Sequence, residues 1–109
     1  MDKVYSLLGL SKKAGKLVSG DETCERAIRS GKAVLVIVSK DASENTRDKF
    51  ESMCKYREVC FRQYGEKQNL GRCIGKDIRS VVAIISDDFK NGLLKLIDQQ
   101  NQSGGEGIG

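Results

Sequence analysis

Chemistry in this 109-residue sequence has to come from lysine, arginine, cysteine and carboxylate side chains, because it contains no histidine. The usual general base and the imidazole ligand of catalytic zinc sites are therefore both missing. Cys24, Cys54, Cys60 and Cys73 form no Cys-x-x-Cys pair. Each falls among apolar positions at helical or strand spacing, so they read as small buried hydrophobes with reduced thiols. A cysteine nucleophile would need a nearby base and a lowered pKa, and only a lysine or carboxylate could serve. The stretch Gly71-Arg72-Cys73-Ile74-Gly75-Lys76-Asp77 has the outline of a phosphate loop. It lacks both the four-residue spacing between glycines and the hydroxyl residue after the lysine that would hold magnesium. No Gly-x-Gly-x-x-Gly follows a strand. These features point to a non-enzyme with no catalytic residue, no metal site and no cofactor.

The cations are unevenly placed. Nineteen Lys and Arg against fifteen Asp and Glu give a net charge of +4, a modest excess, so position matters more than total. The excess sits in residues 1–40 and 61–80, on either side of a roughly neutral segment that holds Lys49 and Lys55. Each basic segment carries a glycine-bearing turn. Lys12, Lys13 and Lys16 surround Gly15 and lead to Gly20; Lys67, Arg72, Lys76 and Arg79 surround Gly71 and Gly75. Brought to one end of the fold, the two turns would form a cationic surface whose backbone can approach phosphate closely. Solvated helix ends would carry the same residues.

The elements that must position these turns are legible from periodicity. Val4, Leu7, Leu8 and Ser11 to Ala14 keep helical spacing over residues 3–14, and Gly15 stops the helix. Leu17 and Val18 make a short strand, and Ser19-Gly20-Asp21-Glu22 has the Ser-x-x-Glu spacing of a capping box opening a second helix. Ala33 to Val38 is β-branched and apolar throughout, the pattern of a central strand covered on both faces. A third helix starts near Ser43, a strand runs from Val59 to Arg62, and a short helix runs from Glu66 or Lys67 to Arg72. Val81 to Ile85 repeats the buried-strand pattern, and Ser86 or Asp87 caps a final helix with Phe89, Leu93, Leu96 and Ile97 inward. Helices alternating with two-sided apolar strands predict an α/β fold, a three-layer α/β/α sandwich on a four-stranded mixed sheet. One domain over residues 1–100 and a disordered tail over 101–109 are expected. No aliphatic run is long enough to span a membrane, and no secretory signal precedes the first helix. A cytoplasmic location follows as an expectation.

Gly20 to Gly31, the Ala33–Val38 strand, Ser39-Lys40-Asp41-Ala42, Leu70-Gly71-x-x-x-Gly75 and Val81 to Ile85 together resemble the kink-turn-binding ribosomal protein family. The resemblance covers about residues 4–97. It is closest to the small bacterial YlxQ-type members, through Leu8-Gly9-Leu10, Val18-Ser19-Gly20 and Leu70 to Lys76. It implies that RNA is bound by the start of the second helix and the loop before the last strand. The family motif is Gly-x-Asn-Glu-x-x-Lys, whose Asn and Glu read tandem sheared G·A pairs while the Lys supports them. By position, Gly20 matches the Gly, Glu22 stands at the Asn, Thr23 at the Glu and Arg26 at the Lys, with Asp21 between. Glu22, when ionised, only accepts hydrogen bonds and cannot supply an amide N–H. Gly20, a helix N-terminus that favours phosphate, and Arg26 remain. Lys76, Ile78 and Arg79 lie at the second contact loop with Lys67 nearby, and Lys16 belongs to the first basic turn. An apolar residue in that loop can pack against an extruded base while Arg79 meets the backbone.

The expected protein is a monomeric, non-enzymatic binder of structured RNA, a kink-turn in the ribosome or elsewhere, working beside the ribosome or translation or transcription factors and away from membranes. The alternative is a protein-interaction module that keeps the fold and has lost the RNA reader.

Overall fold

Two runs of apolar residues, Leu35–Val38 and Val81–Ile84, are buried at every position and organise the rest of the chain. The computed structural model describes residues 2–106. In chain order the elements are α1 (Lys3–Lys13), β1 (Leu17–Ser19), α2 (Asp21–Arg29), β2 (Leu35–Val38), α3 (Glu44–Arg57), β3 (Cys60–Gln63), α4 (Lys67–Cys73), β4 (Val81–Ile84) and α5 (Asp87–Glu106). The strands form one sheet in the order β1-β4-β2-β3. β4 is antiparallel to both β1 and β2, and β2 is parallel to β3.

Because side chains alternate along a strand, the two central strands feed two cores at once. Leu35, Ile37, Val82 and Ile84 pack with Val4 and Leu8 of α1, Leu70 of α4 and Leu93 and Ile97 of α5. Val36, Val38, Val81 and Ala83 pack with Cys24 and Ile28 of α2 and Phe50 and Cys54 of α3. This is the three-layer α/β/α sandwich with a mixed four-stranded sheet that the alternation of elements predicts. Cys24 and Cys54 are fully buried, and burial pushes both thiols up to about 12. All four cysteines are free thiols.

Helix ends follow local chemistry in most places. Asp2 caps α1 by accepting from the Val4 N–H at 2.8 Å, and Gly15 takes φ 73° just past its C-terminus, where the Lys16 N–H reaches the Ser11 carbonyl at 2.8 Å. Ser43 caps α3 through the Thr46 N–H. The last helix departs from expectation, because α5 runs past residue 100 to Glu106. Nothing in Asn101-Gln102-Ser103 forbids helix. The expected tail over 101–109 thus overlaps the end of α5, and its residues 107–109 lie outside the described residues.

Side chains lock α5 to the sheet edge. Arg62 in β3 holds Asp98 through two parallel bonds, Nε to Oδ1 at 2.9 Å and Nη2 to Oδ2 at 3.0 Å. Tyr64 donates to Asp2 Oδ2 at 2.6 Å and lies 2.9 Å from the Gln100 side chain. Burial, then the Asp2 carboxylate, hold the Tyr64 phenol well above its ordinary range.

The Arg62 guanidinium holds the Asp98 carboxyl below its usual value. A carboxylate whose pKa falls on folding adds stability above its unfolded pKa of about 3.9, and loses that contribution as pH drops through the lower folded value. Both partners are partly exposed, so solvent screening limits the pair to about 0.5–1 kcal/mol. Asp98→Asn should lower unfolding free energy by that amount at pH 7. In urea melts across a pH series the gap to wild type should close below pH 4.

Candidate nucleic-acid interface

The register of β4 brings together the two segments of the candidate site. Ser19 pairs with Val82, and the Gly20 N–H donates to the Val81 carbonyl at 3.1 Å. The chain then enters α2 with Gly20 at φ 95° and ψ 153°, a region only glycine occupies without strain. A Cβ built there would meet nothing within 4 Å. Backbone rotation, and not packing, therefore demands this glycine, and the same openness leaves the N-terminus of α2 uncovered. The capping box expected from Ser19 and Glu22 does not form: Gly20 is the N-cap and no side chain caps the helix. Ser19 still belongs to β1, and its Oγ accepts from Arg79 Nε at 3.1 Å.

That contact ties the second segment to the first. Arg79 Nη1 also donates to the Ile78 carbonyl at 2.8 Å, and the Arg79 N–H donates to the Lys67 carbonyl at 3.0 Å. Farther back, the Lys76 N–H donates to the Gly71 carbonyl at 2.8 Å. The loop therefore lies folded along α4. Gly71 is what lets it do so, because a Cβ at this buried position would overlap the Asp77 carbonyl oxygen. Asp41, just after β2, accepts from the Lys67 N–H at 2.9 Å and so serves the start of α4. That bond, above other contacts, holds the Asp41 carboxyl below its usual range. Asp41, Lys67, Arg72, Lys76 and Ile78 line an open recess of about 630 Å3, and Ile78 is 54% exposed at its edge.

Of the residues singled out in the sequence, Gly20, Asp21, Glu22, Thr23 and Arg26 stand on α2, with the four side chains exposed. Lys67, Lys76, Ile78 and Arg79 stand on the adjoining loop and helix. Lys16 does not join them. Its carbonyl accepts from Ile85 at the opposite end of β1, roughly 13 Å along the strand from Gly20. Lys12 and Lys13, at the end of α1, instead share a groove between α1 and α4 with Arg72 and Gly75. The first basic segment is thus divided between two surfaces.

Ser19, Asp41 and Lys49 carry parts of this site that sequence reasoning did not assign. Lys49 lies on the roughly neutral segment between the two basic ones. Its Nζ lies 3.0 Å from Glu25 Oε2 and 3.6 Å from Asp21 Oδ2, bridging α3 to α2. The Lys49 hydrogen bond holds the Glu25 carboxyl below its usual range. Among the described residues, Glu22 is then the carboxylate of α2 without a cation within 4 Å, and Arg26 has no ion pair. No signal short of the α2–α3 packing could have revealed the Lys49 bridge.

Residues 2–94 match the family described as ribosomal protein L7Ae/L30e/S12e/Gadd45. The RNA-binding protein YlxQ of Bacillus subtilis (strain 168) is 40% identical over 94 residues, covering 86% of this chain and 94% of that protein. The RNA-binding protein YlxQ of Enterococcus faecium is 39% identical over 97 residues, covering 88% of this chain and 92% of that one. Among solved structures, a protein with unknown function from Bacillus halodurans C superposes with a TM-score of 0.87 at 37% identity, covering 90% of this chain and 99% of its own. The Giardia lamblia 15.5kD RNA binding protein shares the fold at a TM-score of 0.74 and 21% identity, over 87% of this chain and 82% of its own.

Gly20 and Gly71 are needed for different reasons, and substitution should separate them. Gly71→Ala forces backbone against backbone and should lower unfolding free energy by about 1–3 kcal/mol, while broadening the amide resonances of residues 76–79. Gly20→Ala meets no atom and should cost about 1–3 kcal/mol from backbone strain alone, leaving the 76–79 resonances sharp.

Proposed function

The chain belongs to the ribosomal protein L7Ae/L30e/S12e/Gadd45 family, and from that membership we propose that it is a non-enzymatic RNA-binding protein recognising structured RNA, a kink-turn, in a ribosomal or translation-related setting. It acts as a cytoplasmic monomer through a single domain over residues 1–100. Among the described residues, no helix is long and apolar enough to cross a membrane. The observation that carries the reading is the Arg79–Ser19 contact, which joins the open N-terminus of α2 to the loop bearing Ile78. Two relatives with the name RNA-binding protein, aligned over most of their length, support it.

The chemistry follows from the exposed groups. The first turn of α2 leaves the backbone N–H groups of Asp21, Glu22 and Thr23 without an intrahelical partner, a favourable site for a phosphate or a base-edge acceptor. Arg26 supplies a cation one turn along. Ile78 offers an apolar surface against which an unstacked base can lie, as single-stranded or kinked RNA permits. Glu22 accepts from a guanine or adenine amino group, and in doing so gives up the amide donor that the family's Asn provides. Lys49 screens Asp21 and Glu25, so the negative charge that phosphate meets on this helix is chiefly that of Glu22. The protein-interaction alternative draws on the same departure, Glu22 and Thr23 where the family has Asn and Glu.

Binding to a kink-turn RNA, with an unkinked duplex of equal length as the reference, tests the proposal. Arg26→Ala should weaken binding and flatten the log–log salt dependence by about one unit, as loss of one phosphate contact requires. Arg79→Ala should weaken it further, because the loop loses its tie to Ser19 as well as a charge; Arg79→Lys should recover only part. Glu22→Asn restores an amide donor and removes a charge, and should tighten binding by about 1 kcal/mol. Lys55→Ala should do little. Equal affinity for kinked and straight RNA, or loss of binding in Glu22→Asn, would favour the interaction-module reading.

A further inference from the structure

Arg72 faces two ways. On one side it lines the recess that holds Ile78, and on the other it lines the groove of about 700 Å3 between α1 and α4. Tyr5, Leu10 and Ile74 give this groove an apolar floor, and Lys12, Lys13 and Arg72 stand around it. Gly9 sets its shape, because a Cβ there would come within 3.0 Å of the Cys73 carbonyl oxygen and push α1 away from α4. A glycine inside a helix costs about 1 kcal/mol relative to alanine, and this close approach is what requires one in α1.

Three features specify what the groove takes. No carboxylate lines it. Its three cations have no ion pair within 4 Å among the described residues. Leu10 is 56% exposed, and the Asn69 side chain, which also lines the groove, makes no hydrogen bond among the described residues. An apolar floor ringed by unpaired cations, with a free amide at its side, suits a flat aromatic ring carrying phosphates: a single-stranded nucleotide. An acidic peptide would also satisfy the charge. The shared Arg72 favours nucleic acid by making the groove continuous with the Ile78 recess of the proposed RNA face, where Asp41, Glu66 and Asp77 offset Lys67 and Lys76.

We propose that the α1–α4 groove is a second RNA contact, which holds a single-stranded nucleotide of an RNA seated on the Gly20–Arg79 face. A base rests against Tyr5, Leu10 and Ile74 with its edge toward Asn69, and the flanking phosphates meet Lys12, Lys13 and Arg72. The proposal rests on the RNA-binding reading above but can fail separately from it.

Four RNA probes in fluorescence anisotropy test it: a flush-ended kink-turn, the same RNA with a five-uridine extension on one strand or on the other, and an isolated ten-uridine strand. One extension should tighten binding at least fivefold. Leu10→Ser, and separately the double variant Lys12→Ala with Lys13→Ala, should abolish that gain and leave flush-ended affinity within twofold; Arg26→Ala should weaken both RNAs alike. The proposal is overturned if neither extension tightens binding, or if the gain survives in both groove variants, as a protein-binding groove would produce. If the flush-ended RNA does not bind, the reading of the Gly20–Arg79 face fails. The groove then stands only if the uridine strand binds and the double lysine variant releases it, and falls otherwise.

Discussion

A strand buried on both faces must satisfy its backbone groups entirely through its neighbours, and β4 does so between β1 and β2. Val82 sits opposite Ser19 on one side and Ile37 on the other. The residues entering β4 therefore emerge between the ends of β1 and β2, where the Ser39 N–H donates to the Ser80 carbonyl at 2.8 Å. Arg79 meets Ser19 for the same reason. A slip of one residue would send Val82 and Ile84 into the opposite core and would also carry the Ile78 loop away from α2. Core packing and the candidate interface are thus held by one register.

Two glycines let the surrounding layer follow that register. Gly71 admits the loop carbonyl of Asp77 against α4, and Gly9 admits α1 against the Cys73 carbonyl. Neither has the positive φ that commonly explains glycine; both are close approaches of backbone to backbone. They place α4 so that one of its flanks faces the Ile78 recess and the other the α1 groove. Polar side chains then fasten the edges, with Arg62 and Tyr64 holding α5 and α1 to the end of β3.

Most of the fold was legible in the sequence because it rests on periodic burial. Val81 to Ile85 and Ala33 to Val38 carry the pattern of two-sided strands, which form over Val81–Ile84 and Leu35–Val38, and Gly15 and Ser43 act within a few residues of themselves. What escaped depends on tertiary contact. Ser19 looked like a helix cap, but register commits its hydroxyl to Arg79. Lys49 lies on the roughly neutral segment, and only the packing of α3 against α2 sets it beside Glu25. Lys16 is near Gly20 in sequence and distant from it in space, because an extended β1 separates them. The candidate site was readable where glycines and cations keep a fixed order, from Gly20 to Arg26 and from Gly71 to Arg79. Asp41 was not, since a lone carboxylate after a strand shows its purpose only when α4 begins beside it.

The uncapped start of α2 bears on how such a protein can change its target. Its geometry is held by Gly20, by the strand bond to Val81 and by the buried Cys24, Ala27 and Ile28. Glu22 and Thr23 make no side-chain hydrogen bond or ion pair among the described residues, so replacing them leaves the frame intact. Specificity is thereby separated from foldability: the ledge that would read an RNA can be rewritten one side chain at a time, and a redesigned library at positions 22 and 23 would sample new ligands on an unchanged scaffold.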